Sequence, residues 1–180
     1  MTVHIALLRA VNVGGRSVSM AELRAMLVDM NFENPRTLLQ SGNAVFALKA
    51  KASSVALEAK LEAEAQKRFG MPIPFMLRTS AEWDAIIARN PFAEAAKNDP
   101  GHLLLMALKS APTAAAIKAL RDGYTGPETI HVAGRHAYLI YPEGVGRSKL
   151  TNALIERKLG VAGTGRNWNT VLKLAAFAAG

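Results

Sequence analysis

The sequence has no cysteine among its 180 residues, and aromatic side chains make up only 6% of it. The missing cysteine excludes disulfides, thiol catalysis and thiolate zinc sites, and it suits a reducing compartment. The longest apolar runs, such as Leu103–Leu108, are far shorter than the roughly 20 residues that a membrane helix needs. The N-terminal residues Met1–Ile5 lack the charged and apolar regions of a signal peptide. We therefore expect a cytoplasmic protein without membrane contact.

Acidic residues are also scarce, with 14 Asp and Glu against 22 Lys and Arg and a net charge of +8. The imbalance is greatest in residues 144–180, where Glu156 is the single acid beside six cations. These cations are Arg147, Lys149, Arg157, Lys158, Arg166 and Lys173. A positive field concentrates anions such as nucleotides, phosphate esters or nucleic acid. The alternative is ordinary solubility charge, and the sequence leaves both interpretations open.

Apolar residues recur at strand and helix spacings along the first part of the chain. The predicted elements are strands at 3–10, 35–40, 43–48 and 73–78 and helices at 19–31 and 53–69. Ser19 and Glu22 form a capping box at the start of the first helix, and Gly70 ends the second. The resulting order is β-α-β-β-α-β, which is a recognised supersecondary unit.

The rest of the chain nearly repeats this order, without a repeat at the level of residues. Thr79 and Glu82 form a second capping box, which opens a helix through Ala88. The further predicted elements are strands at 102–108, 128–133, 136–141 and 162–166 and helices at 113–122, from Ser148 or Lys149 to Gly160, and from Asn167 or Asn169 onward. We predict an α+β protein of two tandem ferredoxin-like βαββαβ halves with antiparallel sheets, residues 1–80 and 81–180, plus a C-terminal helix.

Four segments of the chain together carry a family resemblance. They are Leu7–Gly15, Met20–Arg24, Gln40–Asn43 and the long stretch that runs from Gly146–Asn152 to Arg166–Leu172. On these segments the chain resembles the bacterial family called domain of unknown function 1697, over about residues 3 to 174. The resemblance implies a pair of ferredoxin-like halves, in agreement with the element order. It implies no established activity.

Polar loops in the first half form one candidate site. The Asn12–Arg16 segment leaves the first strand and leads to a helix, so glycine N–H groups and the Arg16 guanidinium favour an anion there. The alternative is a tight loop that needs two glycines for positive φ. Arg9 needs a counter-ion or ligand if it is half-buried, and Gln40–Asn43 lies nearby if the middle strands flank the first. The candidate ligand-binding residues here are Arg9, Asn12, Gly14, Gly15, Arg16, Ser41 and Asn43.

Two segments near the C-terminus form a second candidate site. Residues Arg147–Asn152 are predicted to place two cations, two hydroxyls and an amide at the first turn of a helix, where cations oppose the helix dipole. The alternative is that Ser148 simply caps this helix. In Arg166–Thr170 the guanidinium suits a phosphate, while Trp168 either stacks on a ring or, as we favour, is buried. The candidate residues are Arg147, Ser148, Lys149, Asn152, Arg166 and Asn167.

The sequence offers little support for a metal site or a catalytic centre. His131 and His136 flank the Gly134-Arg135 turn without a neighbouring carboxylate, which makes a poor metal site. There is no Gly-x-Ser-x-Gly motif, and no carboxylate pair that would hold Mg²⁺ stands out. We expect no metal and no cofactor, and the catalytic residues of any activity are unknown at this point.

The observations favour an uncharacterised protein that binds a phosphate-bearing or other anionic ligand, a nucleotide or nucleic acid, in a basic cleft between its halves. One alternative is an enzyme acting on a small anionic metabolite, with Arg9, Arg147, Lys149 and Arg166 as electrostatic stabilisers. Another is a partner-binding module without a small-molecule site. The expected partner is an anionic small molecule or nucleic acid and not a membrane, and the oligomeric state is unknown from sequence.

Overall fold

The computed structural model describes residues 1–180, which divide into two compact units. Unit 1 comprises Met1–Ala88 together with Lys173–Gly180, and unit 2 comprises Arg89–Leu172. Each unit holds one four-stranded sheet. None of the helices combines the length and the apolar character needed to cross a membrane. The division of the chain into halves at residues 1–80 and 81–180 stays a prediction.

Unit 1 is built on an antiparallel sheet in the order β2-β3-β1-β4. Its elements are β1 (Thr2–Leu8), α1 (Met20–Asp29), β2 (Glu33–Thr37), β3 (Asn43–Leu48), α2 (Ser54–Phe69), β4 (Phe75–Thr79) and α3 (Ser80–Ala88). Apolar residues of α1 and α2 pack with Ala6 and Leu8 of β1 in one buried cluster. Because side chains alternate along a strand, Ile5 and Leu7 lie on the opposite face, where they are equally buried. Helix α3 packs against β1 and β4 and buries Trp83 completely.

Unit 2 has the same architecture, with the antiparallel strand order β6-β7-β5-β8. Its elements are α4 (Ala93–Asn98), β5 (Leu103–Leu108), α5 (Ala114–Gly123), β6 (Thr129–Ala133), β7 (His136–Ile140), α6 (Asn152–Leu159), β8 (Gly163–Asn167) and the start of α7 (Trp168–Ala179). The residues of α7 from Lys173 onward belong to unit 1. The predicted α+β fold of two tandem antiparallel halves with a C-terminal helix is confirmed.

Hydroxyl side chains begin four of the helices at equivalent places in the two units. Ser19 and Ser53 accept the N–H of Glu22 at 3.0 Å and of Ala56 at 3.2 Å in unit 1. In unit 2, Thr113 and Thr151 accept the N–H groups of the residues three positions on, at 3.1 and 3.2 Å. Each bond satisfies a backbone donor that the helix itself leaves unpaired. These caps therefore fix where the helices start, and with them the loops that precede the helices.

The strand register reveals a repeat at the level of residues that the sequence does not show. Ile5 of β1 lies between Val45 of β3 and Arg78 of β4. In unit 2, Leu105 lies in the same way between Tyr138 of β7 and Arg166 of β8. The N–H of Arg9 donates to Pro74 O at 3.0 Å, and the N–H of Lys109 donates to Ala162 O at 2.8 Å. A half-buried cation thus follows the central strand of each sheet.

Some predicted elements begin elsewhere in the structure. The helix predicted from Ser148 or Lys149 begins only at Asn152, after a single 3₁₀ turn at Val145–Arg147. The Ser148 hydroxyl accepts the N–H of Leu150 at 2.9 Å, and this local bond keeps the segment out of the helix. Strand β2 begins two residues earlier than predicted, and β4 two residues later. Helix α4 is not among the elements predicted from the sequence.

Candidate functional site

At one end of the unit 1 sheet, the Asn12 side chain joins two loops. We call residues 9–18 the glycine loop and residues 38–42 the β2–β3 turn. The Asn12 amide donates to Val18 O at 3.1 Å and to Gln40 O at 2.6 Å, and its oxygen accepts the N–H of Val18 at 2.9 Å. The N–H of Leu8 donates to Gly42 O at 2.9 Å. The expectation that Gln40–Asn43 lies beside the end of β1 is therefore confirmed, and Asn12 holds the two loops together.

Backbone strain is concentrated in these two loops. Five residues other than glycine have positive φ, and three of them, Ala10, Asn12 and Leu39, lie here. Gly14, Gly15 and Gly42 also have positive φ. A Cβ on Gly42 would come within 2.5 Å of Val11 Cγ2, whereas one on Gly14 or Gly15 would meet no atom within 4 Å. Glycine is thus required at 42 for both packing and conformation, while Gly14 and Gly15 form an open, exposed tip.

Two arginines border the glycine loop. Arg9 follows β1 directly rather than lying within it, and it is half-buried. Arg16, also half-buried, donates from its terminal nitrogen to the Pro72 carbonyl, and its Nε is buried without a hydrogen-bond partner. The N–H of Arg16 donates to Val13 O at 3.1 Å, which closes the tip. Two positive charges therefore lie on the loop that carries the open glycines.

The two polar residues predicted on the β2–β3 turn have different surroundings. Asn43 is completely buried, and its amide donates to Leu38 O at 2.8 Å and to Ser41 Oγ at 3.1 Å. Ser41 itself is exposed. The amide of Asn43 therefore shapes the turn from within, and Ser41 presents its hydroxyl at the surface.

The basic segment of unit 2 does not form the first turn of a helix, so that part of the prediction is wrong. Arg147 and Lys149 are exposed and precede the helix, and Thr151, not Ser148, caps it. Ser148 and Tyr124 instead both donate their hydroxyls to the carboxylate of Glu128. Although burial acts to raise the pKa of Glu128, these two hydrogen bonds lower it below its usual value. Sequence reasoning missed Glu128 and Tyr124, because nothing in their spacing connects them with Ser148.

Asn152 and Asn167 both hold the chain at the start of a helix. The Asn152 amide donates to Gly163 O at 3.2 Å and to the Glu156 carboxylate, which ties α6 to β8. Asn167 accepts the N–H of Thr170 at 3.0 Å through its side-chain oxygen. Trp168 is buried, as we favoured, and its ring lies 6.3 Å from that of Tyr138. These side chains therefore have structural partners within unit 2.

Arg166 is buried in the unit 2 sheet and has an equivalent that sequence reasoning missed. Its guanidinium donates to Thr164 Oγ1 and to Gly165 O, both at 2.9 Å, and burial lowers its pKa to about 10. Arg78 occupies the same register position in unit 1, is equally buried, and donates to Leu77 O at 2.7 Å. Each arginine precedes a residue that caps the following helix, Thr79 in one unit and Asn167 in the other. Only the strand register reveals this pairing.

The histidines of β6 and β7 surround a tyrosine. The rings of His131 and His136 lie 6.2 and 5.2 Å from that of Tyr138. Burial raises the pKa of the Tyr138 hydroxyl, and the charge of Arg89 opposes this effect. No group of three or more His, Cys, Asp or Glu side chains is arranged to hold a metal ion.

Two units with the strand order of the ferredoxin-like fold, in tandem and followed by a helix, define the structural class of this protein. Residues 1–138 match the family described as "Protein of unknown function (DUF1697)", and the chain belongs to this family. A conserved bacterial protein from Streptococcus pneumoniae has a similar structure, with a TM-score of 0.79 and 20% sequence identity over 100% of this chain and 99% of that one. At this identity the likeness shows the fold alone. No curated protein matches the sequence.

Proposed function

We propose that this protein binds a phosphate-bearing or other anionic ligand, a nucleotide or nucleic acid, at the glycine loop and the β2–β3 turn of unit 1. The observation that carries the proposal is the Asn12 side chain, which joins two strained loops beside Arg9 and Arg16. Residues other than glycine that the surrounding structure holds in left-handed conformations cluster at functional sites. Two cations on such loops favour a negatively charged ligand.

The two loops offer several kinds of contact to one ligand. The open tip at Gly14 and Gly15 lets an anion approach the backbone closely, and Ser41 adds an exposed hydroxyl. Val13 and Leu39 on the same loops are exposed, by 58% and 46%. Apolar side chains beside cations suit a ligand with both an apolar part and a charge. This combination favours a nucleotide or nucleic acid over inorganic phosphate.

The proposal gives the candidate residues two different roles. Arg9, Gly14, Gly15, Arg16 and Ser41 would contact the ligand, whereas Asn12 and Asn43 would hold the loops in shape through the bonds of their amides to Val18, Gln40 and Leu38.

In unit 2, exposed Arg147 and Lys149 would attract anions through their charge. Ser148, Asn152, Arg166 and Asn167 would act by positioning their surroundings, because each has hydrogen-bond partners within the unit.

A thermal-shift experiment tests the proposal with ATP, pyrophosphate, and short single-stranded and duplex DNA, at low and moderate salt. A ligand present at a hundred times its Kd should raise the unfolding free energy by about 2.7 kcal/mol. The variant Arg16→Gln should lose most of this shift, whereas Lys97→Gln, which removes an exposed charge elsewhere in the chain, should keep it. For each variant, the quantity compared is the change in melting temperature that the ligand causes, not the melting temperature itself. This comparison separates binding from any effect of the substitution on stability.

Two outcomes would contradict the proposal. A shift that survives in Arg16→Gln but disappears in the double variant Arg147→Gln/Lys149→Gln would exclude the glycine loop as the binding site. The absence of a shift with every anion would show that the basic residues are ordinary surface charge. A shift with DNA that falls steeply with salt would identify nucleic acid, because such binding depends on the release of counter-ions.

A further inference from the structure

Three of the four outer sheet strands are protected against pairing with another strand. On β4, the N–H groups of Phe75, Leu77 and Thr79 donate to the carboxylates of Glu62, Glu58 and Glu82, at 2.9, 2.8 and 2.7 Å. Strand β2 contains Pro35 and an irregular register between Glu33 and Arg36. Strand β8 is bound by α6 through Asn152 and Gly163. Natural proteins protect exposed edge strands in these ways.

Strand β6 has none of these protective features. Its residues Thr129–Ala133 include no proline, no lysine and no carboxylate, and they pair with β7 in regular register. A two-residue turn joins Ala133 to His136, so the N–H and C=O groups of Ala133 and His131 bond to β7. The backbone groups of Ile130 and Val132 consequently point away from the sheet, and no hydrogen bond within the protein uses them.

A groove lies directly beside this edge, between β6 and α5. It has a volume of about 140 Å³ and is lined by Ile117, Leu120, Arg121, Ile130, His131 and Val132. Four of these residues are apolar, and two of them, Ile130 and Val132, belong to the edge strand itself. An open edge next to an apolar groove is the arrangement in which an extended peptide adds a strand to a sheet, with alternate side chains in the groove.

The charges around the groove indicate which peptide it would accept. Arg121 is exposed at the groove and has no ion pair, whereas neighbouring Lys118 is paired with Asp122. The nearby Glu128 carboxylate is occupied by the hydroxyls of Tyr124 and Ser148. A second copy of this chain would bring a second Arg121 and a second His131 to the interface without an acid to neutralise them. A segment with carboxylates would instead be complementary.

We infer that the free edge of β6 binds an extended segment of another protein in which an apolar residue and an acidic residue lie two positions apart, because alternate side chains of a strand point to the same face of the sheet. The segment would pair with the backbone of Ile130 and Val132, place an apolar side chain in the groove and bring a carboxylate to Arg121. This interaction surface is independent of the anion site proposed for unit 1.

Fluorescence anisotropy with short labelled peptides tests the inference. A peptide that carries valine and glutamate two positions apart, with serine between them, should bind to the full chain at least about tenfold more tightly than the same peptide with lysine in place of glutamate. Arg121→Glu should weaken binding of the acidic peptide about tenfold, while Lys97→Glu, a matched charge reversal elsewhere, should leave it unchanged. Val132→Pro should abolish binding, because it removes an outward N–H without removing a bond to β7.

Hydrogen exchange keeps the inference testable if Val132→Pro fails to fold. The acidic peptide should slow exchange of the Ile130 and Val132 amides in the unchanged protein. The inference is overturned if both peptides bind equally well, or if these two amides exchange at the same rate with and without the acidic peptide. A dimer in sedimentation that Arg121→Glu strengthens and acidic peptide does not displace would also overturn it, and would assign the edge to a second copy.

Discussion

The hairpin between β2 and β3 in unit 1 is joined by residues 38–42, whereas the hairpin between β6 and β7 in unit 2 is joined by Gly134 and Arg135 alone. Both hairpins accept the same bond from the central strand, from the N–H of Leu8 to Gly42 O and from the N–H of Leu108 to Arg135 O, each at 2.9 Å. The fold therefore needs only the short turn. The longer turn of unit 1 bonds to the glycine loop through Asn12, so its additional residues serve the candidate site.

The two units also differ in how their outer strands β4 and β8 are protected. Three carboxylates satisfy the outward N–H groups of β4 in unit 1. The equivalent strand of unit 2, β8, contains Gly163 and Gly165, and a Cβ at either position would come within 2.7 Å of a side chain of β5. Unit 1 thus protects its edge with charged side chains, whereas unit 2 packs that strand closely against its neighbour. The same topology tolerates two different solutions.

The largest expected effect on stability concerns the two hairpin turns. Gly42→Ala should destabilise the protein by at least about 3 kcal/mol, because a Cβ there would overlap Val11 and Leu8 at a positive φ. Gly134→Ala should cost only about 1 kcal/mol, because its φ is also positive but nothing lies within 4 Å. Urea unfolding of both variants measures the difference.

Equal losses of stability in the two alanine variants would contradict this comparison. They would mean that the β2–β3 turn moves freely to admit a methyl group. The turn would then lack the rigid shape that the proposed anion site requires.

The next effect concerns the edge of β4. Glu58 is almost completely buried, and its carboxylate accepts the N–H of Leu77. Glu58→Ala should lower the unfolding free energy by about 2 kcal/mol, because it leaves a buried donor without an acceptor. Glu58→Gln keeps an acceptor oxygen and should lose less than half of that amount. Chemical denaturation measures both, and an equal loss in the two variants would show that charge, not hydrogen bonding, is what matters at this edge.

Apart from α4 and the 3₁₀ turn, the sequence was sufficient to predict the order of the elements, because helix caps such as Ser19 and Ser53 and hairpin turns such as Gly134-Arg135 act locally. It failed where two local signals competed. At residues 148–151, both Ser148 and Thr151 can cap a helix, and the bond from the Leu150 N–H to the Ser148 hydroxyl decides in favour of Thr151. Local spacing cannot show which of two such bonds forms.

The candidate site was predictable only in part. Arg9, Arg16 and the glycines stand out by residue type, and their closeness to Gln40–Asn43 follows from the strand order of the fold. The equivalence of Arg78 with Arg166 was not predictable, because it depends on the register of strands distant in sequence.

The smallest expected effect is on the pH dependence of stability, and it concerns His4 of unit 1 and Leu104 of unit 2. These two residues hold the same register position, opposite the residue that caps the following helix. His4 is buried beside Phe46, and its Nδ1 has no hydrogen-bond partner. Burial lowers its pKa below 6.5, and the charge of Glu82 only partly opposes this effect. The neutral ring is therefore the form that the folded state favours.

The sign of the pH dependence follows from that lowered pKa. Well above pH 6.5, His4 is neutral in both the folded and the unfolded state, so its protonation costs no stability. Below pH 6.5 the unfolded chain takes up the proton first, and the free energy of unfolding falls until the pH passes below the lower pKa of the folded state. The loss amounts to about 1.4 kcal/mol for each pH unit that separates the two pKa values. His4→Leu, which copies unit 2, should remove this part of the loss between about pH 7.5 and pH 5.5. His102→Gln changes a half-exposed histidine and is the matched control. If His4→Leu and the unchanged protein lose the same stability over this range, protonation of His4 does not limit the folded state, and the polar ring in unit 1 is equivalent to the apolar side chain of unit 2.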